Sequence, residues 1–202
     1  MPALSLLAIV GAVLWVVMVA AAQLLTPDQS PLSMGMSGLA TGRYGWLMKA
    51  AFVVRGLSAL ALVAALAGSV PAAALSSPGL VLFAAWGGGS ALLACYDTDM
   101  PGSKPTRRGQ AHAVIALVSY CAAVAGMITV SLQLRHDEAS TGMARWALPI
   151  ALVAALAMFA QFAGFAEATR SPSHGFARFA GLLQRVFVVL VMVWTVVVAA
   201  GL

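Results

Sequence analysis

The chain has 202 residues, of which 62% are hydrophobic and only 8% charged, with a formal net charge of +5 and a mean hydropathy of +0.97. A soluble domain is nearer half apolar and a quarter charged, so this is the composition of a membrane protein. Charge this sparse excludes a disordered tail, a coiled coil and a nucleic-acid-binding surface.

Six apolar stretches follow in chain order, at about residues 4–25, 46–67, 80–95, 109–134, 146–166 and 182–201. Each approaches the roughly 20 residues that a helix needs to cross a hydrocarbon core of about 30 Å, the third being the shortest. Uninterrupted Ala, Val and Leu favour helices over the alternating strands of a barrel. The expected fold is therefore an all-α bundle of six transmembrane helices in one domain spanning 1–202. Ala20, Ala21 and Ala22 in the first span resemble a signal-peptide cleavage site. No Lys or Arg precedes them and the run is too long for a signal core, so the segment reads as a retained span.

The first connection, TPDQSPLSMGMSGLATGRYGW, is long for a loop without an apolar run, and such loops are often functional or mobile. Ser33, Ser37 and Thr41 recur every four residues, as along one face of a short helix. Tyr44 and Trp46 read as interfacial anchors. Arg55, nine residues beyond Trp46, is the deepest formal charge. It is expected either to reach back to the interface or to pair with Glu167 at the end of the fifth span. In the third span, the run Gly87 to Gly89 either allows close helix approach, with Gly87, Ala91 and Cys95 in one stripe, or breaks the helix.

The third connection places Asp97 and Asp99 at the carboxyl end of a helix, where the dipole disfavours negative charge, so basic residues should compensate. His112 lies three residues into the fourth span, about 4.5 Å deep, with Asp99 as its expected partner. Cys95 and Cys121 sit in apolar runs and read as buried thiols. Thr41, Gly42 and Trp46 are echoed by Thr141, Gly142 and Trp146, a weak sign of an inverted repeat.

Nine of the eleven basic residues fall in or beside the first, third and fifth connections, against Arg135 and Arg145 near the second and fourth. The positive-inside rule then directs the odd connections to the cytoplasm and both termini outward. Polar chemistry gathers on that face, and a pocket there is expected from Asp99, His112, Arg185, Arg178, Arg43, Ser33 and Tyr44. No histidine pair suits a haem, because His136 falls on the opposite face and His174 in a loop. The last span has no lysine for a Schiff base, and no GxSxG, HExxH or Walker loop is present. No cofactor and no metal are expected.

Three segments together carry a family resemblance: SPLSMGMSGLATGRYGW, then YDTDMPG with the following T..GQAH, then GLLQRVFVVLVMVW. They resemble a prokaryotic six-span membrane family catalogued as domain of unknown function nine-nine-eight. The matching positions are Pro31, Ser33, Ser37, Gly42, Tyr44, Gly45 and Trp46, then Thr98, Asp99, Gly109 and His112, then Gly181, Leu182, Arg185 and Trp194. Where relatives carry a proline two residues before the aspartate, this chain has Asp97. The resemblance implies a multi-pass protein of a prokaryotic cytoplasmic membrane without assigning chemistry. The leading expectation is a small transporter or lipid- or small-molecule-binding protein for an anionic or zwitterionic ligand, surrounded by membrane lipids. The alternatives are a lipid-modifying enzyme, with His112 as general base oriented by Asp99, and an accessory subunit.

Overall fold

The computed structural model describes residues 2–70, 77–136, 140–170 and 175–202. Their secondary structure is entirely helical, and six helices are long and apolar enough to cross a membrane. They are α1 (Pro2–Leu25), α2 (Gly45–Ser69), α3 (Ser77–Leu92), α4 (Arg107–Leu134), α5 (Thr141–Ala168) and α6 (Ala180–Ala200). Short 3-10 turns occupy Met36–Ala40, Leu93–Cys95 and Ala177–Phe179. Each helix coincides with an expected span, because in lipid a backbone must satisfy its own hydrogen bonds and an apolar run of this length has only the helix in which to do so.

Consecutive helices pack against one another and α1 also packs against α6, which closes the six into a ring, with α2 touching α6 across it. Half of the spanning stretch of α2 and of α6 is buried, against 28% for α1. Accordingly α1 turns Leu6, Val10, Val13 and Val17 outward and a narrow stripe of Ser5, Ala8, Ala12, Trp15 and Ala22 inward. Outward-facing valines and leucines are stable here because the surroundings are hydrocarbon rather than water.

The glycine run does not break α3, which is continuous from Ser77 to Leu92. It brings helices together. A Cβ on Gly56 would stand 2.6 Å from the Gly87 carbonyl oxygen, so α2 and α3 touch backbone to backbone. Cys95 and Cys121 are free thiols on the exterior, contrary to the expectation of burial. An apolar run in a membrane contributes to both the core and the lipid-facing surface, so residing in one does not place a thiol inside. Gly42 lies in a left-handed turn ahead of α2 (φ 77°), whereas Gly142 is within α5. The sequence echo therefore falls on unlike structural positions. His174 lies outside the described residues.

Candidate functional site

The first, third and fifth connections meet at one end of the bundle. There the first loop folds down as a cap on α6. Leu182 N–H donates to the Leu32 carbonyl at 2.9 Å, and Met36 N–H donates to Gln184 Oε1 at 2.7 Å. Arg185 fastens the same loop: Nη1 donates to the carbonyls of Pro31 and Met34, both at 2.9 Å, and of Gly181 at 3.0 Å. Its Nη2 donates to Gln23 Oε1 of α1 at 2.7 Å. Gly181 has to be glycine for this fit, since a Cβ there would collide with the Met34 backbone.

His112 is buried beneath the cap. Its Nδ1–H donates to the Tyr96 carbonyl at 2.7 Å, and Nε2 accepts from the Ser37 hydroxyl at 2.8 Å. The neutral Nδ1–H tautomer satisfies both bonds, so the ring joins α4 to the first and third connections. Of the four-residue serine and threonine series, only Ser37 lies in a helical turn, and that turn is 3-10. Ser33 is exposed, and Thr41 donates to the Gly38 carbonyl.

Asp99 is not the partner of His112. Its carboxylate accepts from Thr106 N–H at 2.9 Å and from the Thr106 hydroxyl at 2.8 Å, while Thr106 Oγ1 caps α4 by accepting from Gly109 N–H. A negative group at a helix N-terminus is stabilised by the orphan N–H groups and the dipole, which explains the preference. Asp97 pairs with Lys49 at 2.6 Å, and that hydrogen-bonded ammonium holds its carboxyl below the usual carboxylate range. Glu167 is likewise committed locally, accepting from Phe176 N–H at 2.8 Å and Ala177 N–H at 3.3 Å. Arg43 lies over the Tyr44 ring and Arg178 over the Phe179 ring, both arginines exposed. Of the seven predicted site residues, His112 and Arg185 therefore fasten the cap, Asp99 stabilises the start of α4, and the other four lie at its rim.

Sequence reasoning also misplaced Arg55. It neither reaches the interface nor pairs with Glu167. Ten residues beyond Gly45, it lies about 15 Å along α2 at 1.5 Å per residue, and it is fully buried. Its Nε donates to Ser90 Oγ at 2.5 Å, and that hydroxyl donates to the Phe52 carbonyl at 3.2 Å. The Gly56–Gly87 contact is what brings Ser90 of α3 this close. The guanidinium carbon stands 4.6 Å from the Trp86 ring centre, 5.3 Å from Phe52 and 5.9 Å from Trp15. Among the described residues neither Nη1 nor Nη2 has a hydrogen-bond acceptor, and the indole N–H groups of Trp15 and Trp86 lack one too. By contrast, the indole of Trp194 donates to Ser131 Oγ at 3.0 Å. Tyr120 of α4 is close enough to the guanidinium to interact with it through its hydroxyl, although neither Nη makes a hydrogen bond of full geometry to it. Its hydroxyl accepts from Gln184 Nε2 at 3.2 Å, which links the aromatic box to the cap.

The signal for this site was in the sequence. The six acidic residues are Asp28, Asp97, Asp99, Asp137, Glu138 and Glu167, and none lies at mid-span to neutralise a deep arginine. Two cavities among the described residues bear on the site. One of about 290 Å³ runs along the α1–α6 seam past Trp15 to Arg185. The other, of about 490 Å³, lies at the opposite end between α4 and α5, beside Arg135 and Arg145. Among the described residues no His, Cys, Asp and Glu cluster could hold a metal ion.

Neither a curated protein nor a solved structure matches the chain. A family model does match, over residues 9–201 and so over all six helices, the cap and the buried arginine, and the chain belongs to that family, described as protein of unknown function, DUF998.

Proposed function

We propose that this multi-pass membrane protein is a small carrier or binding protein for an anionic group, and that Arg55 is the residue that holds the anion. The observation that carries this reading is a surplus of buried donors. A guanidinium with two unpartnered Nη groups shares its box with two unpartnered indole N–H groups. Removing a cation from water costs several kcal/mol. Ring contacts return roughly 2 kcal/mol each when desolvated, which offsets part of that cost. Unpaired buried donors add about 1–3 kcal/mol apiece to the cost. An anion supplies the missing acceptors and the missing charge together.

The depth of Arg55 supports a carrier, since substrate sites in secondary transporters lie near the bilayer midplane. The cap end then acts as a closure fastened by His112 and Arg185, with Arg43 and Arg178 at the rim to meet anionic headgroups. The charge asymmetry supports a cytoplasmic orientation for that end, in the cytoplasmic membrane of a prokaryote.

The test is the thermal unfolding midpoint of the purified protein in mild detergent, titrated with acetate. The wild type is expected to show a saturable rise, Arg55→Lys a weaker one and Arg55→Gln none. The same response in folded Arg55→Gln as in the wild type overturns the assignment.

A further inference from the structure

The route by which an anion reaches Arg55 identifies its chemistry. From the cap end the way is shut. Met36 and Leu39 of the first loop are buried, and Gln184 and Ser37 hold that loop by hydrogen bonds to Met36 and to His112. From the side a cavity comes as far as the Trp15 ring. The cavity along the α1–α6 seam is walled by Val16, Val19 and Ala20 of α1 and by Val189 of α6. Val16 is 45% exposed and Val189 42%, so its mouth opens onto the lipid-facing surface. Trp15 is the wall that the cavity shares with the aromatic box, and its ring is one of the three around the Arg55 guanidinium.

Charge narrows the headgroup. Lys49, Arg185 and Asp97 have partners at the cap end, which leaves Arg55 as the one cation described at mid-depth. A single guanidinium in a low dielectric balances one negative charge, and a phosphate dianion would leave a second uncompensated. With Nε committed to Ser90, the open edge is the Nη1–Nη2 fork, which matches the two oxygens of a carboxylate.

Building on the reading that Arg55 holds an anion, we propose that the ligand is a single-chain amphiphile with a carboxylate head, a long-chain fatty acid in chemical class. It enters sideways from the bilayer through the α1–α6 seam, with its chain along Val16, Ala20 and Val189, and its head reaches Arg55 by displacing the Trp15 ring.

The experiment uses the full chain in lipid nanodiscs and palmitate bearing a diazirine near its methyl end, with crosslinked positions found by peptide mass spectrometry. Labelling is expected on α1 and α6 around Val16 to Ala20 and Val189. It should fall about tenfold or more in Val189→Trp, which fills the seam, and in Arg55→Gln, which removes the anchor. In parallel, the acetate-dependent rise in unfolding midpoint should vanish in Arg55→Gln. Labelling spread over all helices, or unchanged in both variants, is ordinary bilayer contact and overturns the fatty-acid inference. If acetate still stabilises the wild type through Arg55 in that case, the ligand is a small soluble anion and the parent reading stands. If acetate is also indifferent to Arg55, both fall. Arg55→Lys, which keeps the charge, guards against a Gln variant that fails to fold and should retain partial labelling.

Discussion

Two arginines inside this bundle are treated in opposite ways. Arg185 is half-buried at the cap, and its two Nη groups make four hydrogen bonds to three carbonyls and one amide oxygen. Arg55 is more deeply buried and makes one, to a serine. The first pattern is that of a cation used to fix a loop, because each acceptor it satisfies belongs to the backbone or to a neighbouring helix. The second is that of a cation held ready by its surroundings, with packing on its faces and no hydrogen bond from the described residues to its outer edge. A buried polar group lacking its partners is uncommon in a native fold and points to function more often than to architecture.

Substitution separates the two roles. The largest effect is expected for Arg185→Met, which leaves the Pro31, Met34 and Gly181 carbonyls and Gln23 without their charged donor. A loss of about 3–5 kcal/mol and a cap open to proteolysis should follow, the first read by thermal unfolding and the second by cleavage within residues 26–44. Arg55→Met should move the other way when ligand has been stripped away. Replacing an incompletely compensated buried charge with a similar apolar volume is neutral or stabilising by about 1–4 kcal/mol, and the response to acetate should be lost. A comparably large destabilisation by Arg55→Met would make the two arginines alike and remove the contrast on which the anion site rests.

A smaller effect is expected at the start of α4. Thr106→Ala removes both the cap to Gly109 N–H and the hydroxyl bond to Asp99, for a loss of about 1 kcal/mol. The smallest concerns the Lys49–Asp97 pair, whose side chains are 37% and 46% exposed. Because the folded carboxyl titrates below its unfolded value, the pair's contribution is complete above the unfolded pKa. It disappears as the pH falls through the folded one. Stability should therefore be flat through neutrality and fall only in the acid range below the ordinary carboxylate pKa. Solvent screening keeps that fall small, and Lys49→Met should abolish it.

The contrast also shows how far the chain could be read without coordinates. All six helices were legible, because an apolar run of sufficient length has one stable form in lipid. The pairing of polar groups was legible only in part. The sequence proximity of Asp99 and His112 invited a pairing, yet Thr106 at the head of an apolar run is an N-cap signal that competes for the same carboxylate. Nothing local in the sequence marks the Tyr96 carbonyl and Ser37 as the partners that His112 takes instead. Cys95 and Cys121 were misplaced for a different reason. Hydrocarbon outside and side chains inside make equal demands on polarity, so hydrophobicity alone does not tell a helix's inner face from its outer one. Arg55 needed a global observation, the lack of any mid-span acid, rather than a local motif.

The bond from Arg185 to Pro31 spans 154 positions of the chain. During synthesis, the first loop therefore emerges long before the helix that will hold it, and its carbonyls remain unanchored until α6 has been made. Closure of the cap is coupled to insertion of the last helix, as is completion of the seam, which has α6 as one of its walls. A chain that stops short of α6 has neither a fastened loop nor a formed lateral entrance, so assembly of the site reports that all six helices have been delivered to the membrane.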